Sequence, residues 1–232
     1  CFAMKRITFF ILCLLVPVCL TAISNGFRFR HFSVENGLSS NSVRSIMQDK
    51  YGFLWFGTDE GLNRYDGTAV KLYRLTPQEP DRYISFLYDL QNEIWIGTDG
   101  GLYRYDYETE AIVPFRFATA NRVTIKTTVN HITEDKDNNL WFSTIGQGVF
   151  KYNRAKHVLE QYEFKSANDL VASVFVDSEN QIWAITNWGS TPVFKLNKAD
   201  NKFEPFQLTY PSGKHSSNAL VMLEDSEHTL WL

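Results

Sequence analysis

Trp188 stands beside Asn187, and Arg82, Tyr83, Arg122, Asp59 and Asp99 lie in other polar stretches of the chain. An indole offers a flat apolar platform and one N–H donor, while amide, guanidinium and carboxylate groups hydrogen-bond hydroxyls. Brought together, such a set binds a sugar ring without breaking a bond. The competing reading has Trp188 capping the core beneath its own loop. The five histidines (His31, His131, His157, His215, His228) show no ligand spacing, and no nucleophile elbow or phosphate loop is present. Asp135-Lys136-Asp137-Asn138-Asn139 has the look of a calcium loop, but Leu140 and Gly146 occupy the positions that require Gly and Glu. No catalytic residue, no metal and no cofactor is therefore expected in this chain.

What would position those residues is a repeat. Tryptophan recurs as Trp55, Trp95, Trp141, Trp183 and Trp231, at intervals of 40, 46, 42 and 48 residues. Each is preceded six residues earlier by Asp49, Asp89, Asp135, Asp177 or Asp225. A period of about 40–50 residues with short strands is the signature of a β-propeller blade. Three residues before each Trp stand Gly52, Asn92, Asn138, Asn180 and His228, types that tolerate positive φ. The aspartate then opens a hairpin turn and accepts its N–H groups, with the Trp on the following strand.

Alternation places Trp55 and Gly57 on one face of that strand and Leu54, Phe56 and Thr58 on the other. Gly57, Gly97 and Ser143 are expected to leave room for a neighbouring indole to lie flat, with Ile185 breaking the pattern in the fourth copy. Third strands follow at Gly61–Asp66, Gly101–Asp106, Gly148–Asn153 and Val193–Asn197. Fourth strands are expected at Lys71–Leu75, Ala111–Phe117, Val158–Phe164 and Lys202–Leu208. The strand before each aspartate, such as Val43–Gln48, is the inner one. The fold class is all-β: a propeller of four-stranded antiparallel blades, about four and a half of them present. The repeat tryptophans read as inter-blade core.

Lys+Arg 23 against Asp+Glu 26 gives a net charge of −3 with no basic run after residue 6, which argues against nucleic-acid binding. Residues 1–24 read as an upstream extension and a secretory signal: Met4-Lys5-Arg6, the apolar Ile7–Leu20, then Ala22-Ile23-Ser24. An uncleaved anchor is the alternative. Cys1, Cys13 and Cys19 all fall in this leader, so residues 25–232 carry no thiol and no disulfide. Because Trp231 is followed by one residue, the sequence is expected to be the N-terminal piece of a longer protein. Phe27–Phe32 alternates apolar and basic residues and reads as a strand that would close the ring.

The stretch Phe32–Val43, with Ile46, Asp49, Gly52, Leu54-Trp55-Phe56-Gly57-Thr58, Gly61-Leu62 and Arg64-Tyr65-Asp66-Gly67, closely resembles the two-component regulator propeller repeat. Ile94–Leu102 matches it again, and later copies drift. The resemblance implies the periplasmic sensor of a hybrid two-component system anchored in the inner membrane. It implies an oligosaccharide ligand, a second propeller and downstream sensor domains, a homodimer, and a histidine kinase beyond this chain. An exported propeller lyase and a protein-interaction scaffold are the alternatives. The ligand would sit at the end opposite the Asp turns, on the second-to-third-strand loops. Those hold Asp59, Asp99, Asn187 and Trp188, with Arg82 and Arg122 in the inter-blade connections.

Overall fold

Short alternating segments separated by Asx turns give eighteen antiparallel strands among the described residues. The computed structural model describes residues 29–75, 83–90, 93–117, 123–164, 170–186, 192–208 and 219–232. The chain divides after His31, and of its first unit only residues 29–31 are described, without regular structure. The leader therefore lies outside the described residues, and Phe29–Phe32 forms no strand.

In the second unit, Phe32–Leu232, the first sheet is β1 (Val43–Gln48), β2 (Leu54–Thr58), β3 (Gly61–Tyr65) and β4 (Val70–Tyr73). The second is β5 (Ile84–Leu90), β6 (Glu93–Thr98), β7 (Gly101–Asp106) and β8 (Ala111–Pro114). β9 (Val129–Glu134), β10 (Leu140–Thr144), β11 (Val149–Asn153) and β12 (Val158–Tyr162) make the third. β13 (Val171–Val176), β14 (Ile182–Thr186), β15 (Val193–Asn197) and β16 (Lys202–Pro205) make the fourth. A two-stranded ladder of β17 (Leu223–Glu224) and β18 (Leu230–Trp231) follows. Each sheet is a meander, and its first strand lies against the first strand of the next: β1 on β5, β5 on β9, β9 on β13. That is the radial layout of propeller blades. The fourth strands end earlier than expected, leaving Leu75 and Phe164 to tuck into the core after the ladder stops.

The Asp turn forms as the sequence requires in four repeats. Asp49 Oδ1 accepts the N–H groups of Tyr51 (2.9 Å) and Phe53 (3.0 Å), and Oδ2 accepts Trp55 Nε1 at 2.8 Å. Asp135, Asp177 and Asp225 repeat this, with Trp141, Trp183 and Trp231 donating at 2.8, 2.8 and 2.7 Å. Gly52, Asn138, Asn180 and His228 take φ of 86°, 60°, 62° and 61°. The Asp135 segment that suggested calcium spends its carboxylate oxygens on this turn and on Asn139.

Blade two departs. Met47 faces Trp55 in the first blade, but Tyr88 faces Trp95 and Leu90 faces Glu93 in the second. Taking the inner-strand bulge as the common origin, Leu90 sits where Asp49 sits, and Asp89 falls within β5 where Gln48 sits. The expectation that Asp89 opens the turn is therefore corrected: the hairpin is one residue shorter.

The first three repeat indoles each pack onto the following blade. Trp55 joins Leu87, Ile94 and Tyr103; Trp95 joins Ile132, Leu140 and Phe150; Trp141 joins Val174, Ile182 and Phe194. The small residues serve a different neighbour from the one expected. A Cβ on Gly57 would meet Ile84 Cγ2 at 2.6 Å, and one on Gly97 would meet the Val129 carbonyl oxygen at 2.7 Å. They admit the next inner strand, not an indole. Gly97→Ala is expected to cost about 1–3 kcal/mol, because a backbone oxygen cannot move aside as a side chain can. Urea unfolding of the variant checks it, and an unchanged midpoint contradicts it.

Candidate functional site

The end of the ring opposite the Asp turns is built from the starts of the inner strands and the second hairpins. Every inner strand of the four complete blades carries a bulge at its second residue: Arg44, Ser85, Asn130 and Ala172. A bulge re-aims its side chain. Ser85 Oγ donates to the Val129 carbonyl at 2.6 Å, and Asn130 Nδ2 donates to that of Val171 at 3.1 Å, each on the next inner strand. Arg44 goes further. Its guanidinium pairs with Asp59 and lies 4.2 Å from the centroid of the Tyr83 ring.

Hairpin geometry fixes Asp59 and Asp99 from below. Thr58 Oγ1 accepts the Glu60 N–H (3.2 Å) and donates to the Gly61 carbonyl (2.9 Å). Thr98 does the same with Gly100 and Gly101 at 3.2 and 3.1 Å. Hydrogen bonding from Ser42, and then from Arg44, holds the Asp59 carboxyl below its ordinary range. Both ends of the Arg44–Asp59 pair are partly exposed, so the pair positions groups more than it stabilises the fold. Tyr83 Oη lies 3.4 Å from Thr128 Oγ1, and the Ile145 N–H donates to the Thr128 carbonyl at 3.0 Å. Gln147 closes the third blade's rim by accepting the Lys126 N–H at 2.9 Å and donating to the Thr124 carbonyl at 3.3 Å. This belt of hydroxyl, guanidinium and carboxylate groups beside an aromatic ring can hydrogen-bond a polyol. It holds no nucleophile–base pair, and among the described residues no three His, Cys, Asp or Glu side chains are placed to hold a metal.

Of the residues singled out from sequence, Asp59 and Asp99 occupy two successive hairpins of this end, each half-buried. Trp188, Asn187, Arg82 and Arg122 lie outside the described residues. Arg44 was missed. The available signal was a cation at the second position of an inner strand, where the other copies have small or amide residues.

Residues 37–60 and 125–146 match the family model described as Two component regulator propeller. Histidine kinase P4 of Formosa agariphila is 44% identical over 64 residues, a segment spanning 28% of this chain and 5% of that kinase. Among solved structures, the extracellular domain assigned to a hybrid two component system of B. thetaiotaomicron superposes with a TM-score of 0.66 at 22% identity. That match covers 84% of this chain and 25% of the other. Virginiamycin B lyase of Staphylococcus aureus gives 0.61 at 14%, over 82% and 62%. At these identities the likenesses establish the propeller fold.

Proposed function

We propose, from the regulator-propeller repeats at 37–60 and 125–146, that this chain is the ligand-sensing propeller of a hybrid two-component sensor kinase. It would work in the periplasm after leader cleavage, without catalysis of its own, within a dimeric protein anchored in the inner membrane. A second propeller and further sensor domains would follow. The ligand would be an oligosaccharide released from a polysaccharide, and its binding would change transcription. The observation that carries this reading is the repeat match, supported by the 44% identity to a histidine kinase over 64 residues.

Trp188, Asn187, Asp59, Asp99, Arg82 and Arg122 are the proposed contacts, with Tyr83 beside them and Arg44 added as a group that holds Asp59. The test is a transcription reporter driven by the intact protein and induced with partially depolymerised polysaccharides. Trp188→Ala or Asp99→Asn is expected to shift the inducing concentration upward about tenfold, the loss of roughly 1.4 kcal/mol of binding. An unchanged dose response in both variants rejects these contacts. A reporter silent to every polysaccharide digest, with the purified protein cleaving one of them, would favour the lyase reading.

A further inference from the structure

The register slip in the second blade has a chemical result at its indole. In the first, third and fourth blades a cation cross-strand from the tryptophan lies over its ring: Arg64, Lys151 and Lys195, at 5.7, 5.5 and 5.1 Å from the centroid. Those three indoles also donate to their aspartates. In the second blade the cross-strand cation is Arg104, which turns to Glu93 at 3.4 Å. Leu90 occupies the place of the aspartate, and Trp95 Nε1 is buried without a hydrogen-bond partner among the described residues. A buried donor left unmet is destabilising.

Beside this indole, in the seam with the third blade, is a pocket of about 480 Å³. Trp95, Phe115 and Tyr152 supply its aromatic walls, with Phe115 centred 4.4 Å from Trp95 and 6.1 Å from Tyr152. Glu93, Asp137 and Arg154 supply its polar groups. Tyr152 Oη is tied to His157 Nδ1 at 3.0 Å, which fixes that wall, and Arg154 at the rim lies 3.5 Å from Glu134.

We propose that this seam pocket binds a neutral hydroxylated ring of mono- to disaccharide size. The aromatic walls are apolar, the two carboxylates accept hydrogen bonds, and the guanidinium donates them. A hydroxyl does both, so a polyol matches every group. An anion would meet Glu93 and Asp137, and a cation would meet Arg154. The volume falls in the range of small-ligand sites. The ligand class rests on the sensing reading above. The location does not, because this pocket lies at the Asp-turn end, away from the loop face proposed there.

The test is a nitrogen-15 indole spectrum of the chain titrated with neutral gluco-, manno-, galacto- and xylo-disaccharides. The Trp95 signal is identified by its loss in Trp95→Phe. At least one sugar is expected to move that signal while leaving those of Trp55 and Trp141 in place. Its affinity should fall at least tenfold in Arg154→Gln and in Glu93→Gln, two rim changes that leave the buried walls intact. A Trp95 signal unmoved by the whole panel overturns the proposal. So does binding that survives both rim substitutions, which would place the sugar elsewhere and leave the sensing reading standing.

Discussion

Trp141→Ala is expected to destabilise the fold by about 3–5 kcal/mol, the cost of removing a large buried aromatic. Trp141 is 1% exposed, packs on Ile182 and Phe194 of the following blade, and donates to Asp135. Truncation opens a cavity in the seam and removes a donor from a buried carboxylate together. The matched control is Trp231→Ala. Trp231 makes the same bond to Asp225 at 2.7 Å, but it is 56% exposed. In the 232-residue chain its loss is expected to cost under about 1 kcal/mol, as for surface substitutions generally. Urea unfolding followed by near-ultraviolet circular dichroism measures both. Equal losses would show that the turn bond, and not the wedge between blades, does the stabilising.

A second large effect is expected from acid. His131 on β9 packs against Phe86 of the second blade, with ring centroids 4.4 Å apart, and its Nδ1 is buried without a hydrogen-bond partner among the described residues. Burial pushes the imidazole down to about 4 from 6.5, only partly opposed by a hydrogen bond with the Val174 backbone. A base whose folded value is depressed is indifferent to pH above 6.5. Between 6.5 and 4 the unfolded chain takes up the proton and the folded one does not, so stability falls with pH. At pH 5 the loss is about 2 kcal/mol, at 1.36 kcal/mol for each pH unit below the unfolded value. His131→Gln should remove that component, so wild type should lose about 2 kcal/mol more than the variant between pH 7.5 and 5. Parallel losses in the two proteins would place the acid sensitivity on carboxylates instead.

The blades were legible because their construction is local. An aspartate, a residue suited to positive φ and a tryptophan lie within seven consecutive positions, and the turn they form closes its hydrogen bonds inside itself. The second blade misled because Asp89 and Trp95 keep the usual separation while the ladder beneath them slips. A subtler count carried the signal. The inner-strand residue that faces the repeat threonine lies fifteen positions before it in the first, third and fourth blades, and fourteen in the second. Glycine positions were read correctly as places of close approach, but sequence cannot say which neighbour approaches, since that depends on how far adjacent sheets rotate. Arg44 was missed for a related reason: alternation assigns it a face, and a bulge then turns it toward Tyr83.

Every bond between an aspartate and its tryptophan stays within one hairpin, whereas the indole's apolar surface serves the following sheet. A unit so wired brings its own internal bracing and its own adhesive for whatever comes next. Gene duplication could therefore add or drop a whole module without rewiring those that remain. Ring size in such proteins is free to drift, while the joint between any two members stays the same.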